Sequence, residues 1–247
     1  MRIRKPAAIT LLAGTLLTLS ACGRGAGDRT PEEWLSLAYS GLASTDQYAF
    51  TGSMSIKTAA GLEFKPEIFE GKVVDHKQLT VQTRSQDPLR FNPVQVLQTL
   101  NETNDKVTIE NGGAGKDSIT LYIKEMTEAS TEKWKQRLRG ELDRIGEDAE
   151  LAPPVGSGQK AEWTKELERS KRQLEEMLST LQANTEYELV IDRDRLLPLS
   201  MDEQTSFRYS YKGKPASEER QTTVRFQSFD GSTSDTVQRA LNRVTMD

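Results

Sequence analysis

The chain has one cysteine and one histidine in 247 residues. No intrachain disulfide can form, and zinc sites built from Cys and His, which need three or four ligands, are excluded. A histidine-dependent triad has only His76 to draw on, and no serine or threonine is singled out to partner it. His76 lies between Asp75 and Lys77 in a strand-like stretch and reads as a surface residue. Aromatic residues make up 6%, apolar residues 35% and charged residues 28% of the chain, so much of it must be solvated. The longest apolar run, 7–19, is shorter than the ~20 residues that cross a bilayer. The glycine-rich stretch 111–117 lacks the GxxxxGK[ST] spacing of a phosphate loop. Asp192-x-Asp194 lacks the third ligand, the glycine and the closing glutamate of a calcium loop and reads as a turn. Carboxylates for glycoside hydrolysis are abundant, but Glu32-Glu33, Glu175-Glu176 and Glu218-Glu219 read as solvated faces. The expectation is a chain with no catalytic residue, metal or cofactor.

What is present begins at the N-terminus. Arg2, Arg4 and Lys5 precede the apolar run 7–19, the pattern of an export signal. Leu19-Ser20-Ala21-Cys22 then resembles the lipobox of bacterial lipoproteins. That resemblance implies cleavage after residue 21 and a diacylglyceryl group on Cys22. Two acyl chains give stable membrane anchoring where one gives only marginal binding. Residues 1–21 are therefore read as a signal peptide and 22–29 as lipidated cysteine and tether, spanning roughly 15 Å as a coil. Residues 30–247 form one domain held on the extracytoplasmic side of the cell membrane. Loss of Arg2, Arg4 and Lys5 moves the formal net charge from -4 to -7. So acidic a domain has no electrostatic reason to bind nucleic acid or an anionic bilayer surface.

Along that domain, Thr30-Pro31-Glu32-Glu33 is a capping box with proline at the first helical position. It predicts a helix over 31–44 with Trp34 in the core. From Tyr48 the apolar period becomes two, predicting a half-buried antiparallel strand with Tyr48, Phe50, Met54 and Ile56 on one face. Residues 62–75, interrupted at Pro66, and 78–83 predict two more strands. Asn92 caps a short helix on Val94, Leu97 and Leu100. Strands follow at 106–110 and 118–124, then at 186–191, 199–211 and 220–229. A short helix is expected over 236–244.

Residues 127–184 differ, with 12 acidic and 10 basic side chains and few β-branched ones. Trp134, Leu138, Leu142, Ile145 and Ala149 make one helical stripe; Trp163, Leu167, Ser170, Leu174, Met177 and Leu181 make another. A long charged αα-hairpin is expected. Gly140 and Gly146 each weaken its first helix by ~1 kcal/mol relative to alanine. Antiparallel pairing would set Glu175 and Glu176 beside Lys133 and Lys135.

Two stretches resemble one superfamily. They are Leu37-Ala38-Tyr39-Ser40-Gly41-Leu42 leading into Tyr48-Ala49-Phe50-Thr51-Gly52, and Leu189-Val190-Ile191-Asp192 with Leu197-Pro198-Leu199-Ser200-Met201. The chain is similar there to the lipoprotein carriers and receptors LolA and LolB and to the mycobacterial lipid-carrying lipoproteins LppX and LprG. The resemblance implies an α+β fold, a strongly curved antiparallel half-barrel sheet covered by helices. It also implies a binding site for a lipid, acyl chain or lipidated partner. Its lining would be Phe50, Met54, Ile56, Phe207, Tyr209 and Phe226. The alternative is an interaction or sensory lipoprotein of the same fold, meeting a protein partner through the helices of 127–184. A Cys22→Ala variant is expected to leave the membrane fraction on cell fractionation; retention equal to wild type would refute the lipid anchor.

Overall fold

The capping box at Thr30 forms as the sequence predicts. In the computed structural model the Thr30 side chain accepts from the Glu33 backbone N–H at 3.2 Å, and the Glu33 carboxylate accepts from the Thr30 N–H at 2.9 Å. The structure describes residues 29–58, 63, 64, 66–76, 78–83, 92–110, 117–148, 152, 153, 159–230, 232 and 233. Cys22, residues 59–62 and the helix expected at 236–244 lie outside the described residues. The elements run α1 (Pro31–Ser44), β1 (Tyr48–Thr58), β2 (Glu67–Val74), β3 (Gln78–Thr83), α2 (Pro93–Thr103), β4 (Asn104–Ile109) and β5 (Ser118–Glu125). They continue with α3 (Thr127–Glu147), α4 (Gln159–Ser179), β6 (Gln182–Asp192), β7 (Pro198–Tyr211), β8 (Lys214–Phe229) and β9 (Ser232–Thr233). Among the described residues no helix is long and apolar enough to cross a membrane.

The strands form one antiparallel sheet in the order β3-β2-β1-β8-β7-β6-β5-β4, with β9 beside β8. Pairing of β1 with β8 joins the start of the domain to its end. Alternation along each strand sends one set of side chains to a common face. On that face lies a core of Trp34, Leu35, Ala38 and Leu42 from α1, Leu97 and Leu100 from α2, and Phe50, Leu121, Leu189, Met201, Val224 and Phe226 from the sheet. A second, smaller cluster gathers Trp134, Leu178, Leu181, Ala183 and Phe207 where α3 and α4 meet β6 and β7.

Several expectations shift. The helical segment stops at Ser179, because Gln182 and Ala183 already pair with Arg208 and Phe207 of β7. Leu181, placed on a helical stripe, follows the helix yet still packs in the second cluster. The charge register of the hairpin also differs. Arg139 binds Glu175 at 2.7 Å and Lys171 binds Asp143 at 2.6 Å, while Lys133 turns inward to the sheet. Ile68 is outward-facing and exposed, leaving Phe69, Gly71 and Val73 as the buried set of β2. His76 is in the β2–β3 turn rather than a strand, with φ of 59°. Its ring nitrogens meet the Thr45 carbonyl at 3.1 Å and the Asp46 carboxylate at 3.0 Å. The last turn is tighter than expected. Lys212 and Gly213 both have positive φ, a two-residue hairpin loop that matches strand twist, so β8 starts at Lys214.

The two stretches that carry the family resemblance touch. A Cβ on Gly41 would lie 2.5 Å from the Leu196 carbonyl oxygen, so only glycine lets α1 sit on the β6–β7 turn. A second close approach links β1 and β2. Phe50 lies opposite Gly71 and Phe69 opposite Gly52, and each ring lies where the facing glycine would carry a Cβ. The motif Phe-x-Gly thus occurs on both strands and closes on itself. Gly146 faces Leu167 of α4, whereas a Cβ on Gly140 would meet nothing within 4 Å. Gly71→Ala should therefore cost about 1–3 kcal/mol by overpacking Phe50. Gly140→Ala should add about 0.5–1 kcal/mol through helix propensity. Urea unfolding of both variants checks the pair.

Candidate binding cleft

The common face of the sheet is banded. One row across it is apolar: Phe69, Gly52, Val224, Met201, Leu189 and Leu121 stand side by side in register. The next row brings Thr222, Glu203 and Tyr187 together, and the row beyond it Arg220, Thr205 and Thr185. Phe207 and Ala183 then restore an apolar surface. Directly opposed side chains lie ~4.5–5.5 Å apart at Cβ, so each row is a contact network. A buried polar belt therefore separates the two apolar clusters.

Glu125 anchors the belt. It is the last residue of β5, in phase with Ile119, Leu121 and Ile123, and is 1% exposed. An unpaired carboxylate there would be costly. Lys133, from the second turn of α3, donates to it at 2.6 Å and to the Tyr187 hydroxyl oxygen at 3.1 Å. The Thr103 hydroxyl at the end of α2 lies 3.4 Å from the other carboxylate oxygen and 2.8 Å from the Thr99 carbonyl, to which it donates. Burial pushes the Tyr187 phenol well above its ordinary range, and the carboxylates of Glu203 and Glu125 add to this, so it stays a protonated donor toward Glu203. A hydroxyl relay continues the belt: Ser130 to Thr185 at 2.7 Å, Thr185 to Thr205 at 3.0 Å, Thr205 to Glu203 at 3.5 Å.

Trp134 roofs the belt. Its ring meets Phe207 edge-on, with centroids 4.9 Å apart. The guanidinium groups of Arg137 and Arg220 lie 4.9 and 4.8 Å from its centroid. Burial and the Arg137 charge pull the Arg220 guanidinium below its ordinary value. Two buried donors here, Trp134 Nε1 and Arg220 Nε, have no hydrogen-bond partner among the described residues. Each such omission costs on the order of 1–3 kcal/mol.

The belt opens to solvent between α2 and α3. An inner chamber of about 230 Å³ is floored by Tyr187 and Glu203 and walled by Val96, Leu100 and Trp134. An outer chamber of about 600 Å³ lies along α3 at Gln136, Gly140, Glu141 and Arg144. Gln95, Lys133 and Arg137 line both, so the chambers adjoin. Gly140, with nothing where its Cβ would be, widens the outer one. Among the described residues, no group of three or more His, Cys, Asp or Glu side chains is placed to hold a metal ion.

The lining expected from the resemblance is divided between places. Phe50 and Phe226, each 1% exposed, sit 6.2 Å apart in the closed main core, with Met54 packed against its edge. Phe207 belongs to the second cluster and Tyr209 packs beside it, its hydroxyl donating to Glu218 at 2.6 Å. Ile56 lies opposite Arg220, at the border of the belt. Asp192 accepts from the Asp194 and Arg195 backbone N–H groups at 3.0 and 2.9 Å, the geometry of a turn. The sequence carries a signal for the belt residues. Glu125 occupies the inward phase of a strand whose other inward residues are Ile119, Leu121 and Ile123, and Glu203 and Arg220 share theirs with Met201 and Phe207 and with Val224 and Phe226.

No family model matches the chain, and no curated protein matches it. Among solved structures the chain is similar to a DUF1329 family protein from Desulfovibrio piger, at 13% identity and a TM-score of 0.23. That match covers 84% of this chain and 96% of the other. Lys133→Met should lower stability by about 3 kcal/mol, since it strands a buried carboxylate. Adding Glu125→Gln should recover part of the loss, and denaturant unfolding of the single and double variants measures the coupling.

Proposed function

We propose that this chain is a non-catalytic lipoprotein of the cell envelope, lipid-anchored at Cys22 on the extracytoplasmic side. In this reading it binds an amphipathic ligand in the cleft between α2 and α3. One observation carries the reading. The cleft reaches from solvent to a buried belt that mixes Trp134, Val96 and Leu100 with charged and hydroxyl groups. The volume of its outer chamber suits a small-molecule site of ~300–1,000 Å³. The ligand is thus placed beside the polar belt, not among Phe50 and Phe226. The sheet is read as a curved half-barrel with the helices on its inner face. That reading is supported by the helices packing on one face and by register shifts at Ala49/Phe50, Asn104/Lys106 and Val190/Ile191. Such irregularities bend a strand.

A second reading is an interaction lipoprotein whose partner meets α3 and α4. It draws on the filled main core and on the exposed Ile145 near the end of α3. The two readings separate by extraction. Full-length protein purified in a nonionic detergent, and a Gly140→Leu variant that fills the outer chamber, are extracted with organic solvent and analysed by mass spectrometry. The binding reading expects one amphiphile enriched with the wild type and depleted at least several-fold in the variant. Identical extracts from both would refute it and leave the partner reading.

A further inference from the structure

The cleft carries more donors than the protein can answer. The Lys133 ammonium has three N–H groups. Glu125 and Tyr187 take two of them, and the third meets no acceptor among the described residues. Arg137 gives its Nε–H to Glu141 at 3.0 Å. Its two terminal amino groups meet no acceptor among the described residues, and its guanidinium shares the Trp134 ring with that of Arg220. Lys133, Arg137 and Arg144 line the chambers together with Glu141 and Glu203, and Glu125 behind Lys133 balances the third positive charge.

We infer that the cleft binds an oxyanion, a phosphate or phosphate ester held by Lys133 and Arg137 at the junction of the two chambers. The inference rests on the cleft being a binding site and specifies the charge of what it takes. An oxyanion supplies what Lys133 and Arg137 lack: several lone pairs and a negative charge to meet the third ammonium N–H and the terminal guanidinium N–H groups. The outer chamber, about 600 Å³, has room for what is esterified to it. Gln95 and Gln136 flank the same space and add amide donors.

Full-length protein in nonionic detergent is titrated by calorimetry with inorganic phosphate, dihexanoyl phosphatidylglycerol and dihexanoylglycerol. Binding of phosphate together with the phospholipid assigns the site to the oxyanion itself. Binding of the phospholipid alone assigns it to a lipid headgroup. In either case Arg137→Gln should weaken binding about tenfold, the loss of one charge-assisted contact. Added salt should weaken it further. Gly140→Leu should block it with no fall in melting temperature. The inference is overturned if neither anion binds, if dihexanoylglycerol binds as tightly as the phospholipid, or if Arg137→Gln leaves the anion affinity unchanged. A neutral amphiphile that is depleted from the Gly140→Leu extract, without any anion binding, keeps the binding cleft and removes only its preference for charge.

Discussion

A carboxylate shut away from water has to be answered, and at Glu125 one ammonium answers it. The contact with Lys133 ties the end of β5 to the second turn of α3 across 2.6 Å. Because Tyr187 shares the same ammonium, the helix is referenced to two strands at once. Ser130, one turn earlier, adds a third tie through Thr185. These contacts hold α3 over the sheet without closing the gap to α2. Breaking such a pair costs far more than forming it contributes. Its effect is therefore positional: it sets where α3 stands, and hence where the cleft opens.

The polar belt also explains why the interior is divided. An apolar core spanning the sheet would have pulled α2 and α3 together. The rows through Glu203 and Arg220 interrupt it, leaving a large cluster under α1 and α2 and a small one under α3 and α4. Interiors pack at the density of organic crystals, so the aromatic residues of the main cluster leave little room for a guest. The polar groups do the opposite. They need water or a ligand at their open end, because buried donors without partners are unfavourable.

Elsewhere the fold depends on close backbone approach. The paired Phe-x-Gly segments of β1 and β2 place an aromatic ring over each facing glycine. Gly41 lets α1 rest on the turn that joins β6 and β7. The Gly41 contact links chain segments more than 150 residues apart in sequence. The helical arm of α3 and α4 is held differently, by exposed ion pairs and the Gly146–Leu167 contact. Exposed pairs contribute little stability each but select the register.

Much of this was legible before the fold was known. Thr30 and Asn92 are cap residues whose side chains bond locally, so α1 and α2 start where the sequence says. The two-residue period of 48–58 and the helical period of 127–147 likewise fix element type, since alternation is a property of the chain alone. The cleft was not legible. Glu125, Lys133, Tyr187, Glu203 and Arg220 lie on five elements, and no spacing in the chain marks them as neighbours. Charge order along the chain sets Lys133 in the helix–helix interface; in the fold it turns to Glu125 and Tyr187 of the sheet instead. The sequence by itself determined the local elements, through caps, turns and periodicity within a few residues. Only the tertiary structure decided which charges were buried together, because that depends on sheet order and on which strand faces which.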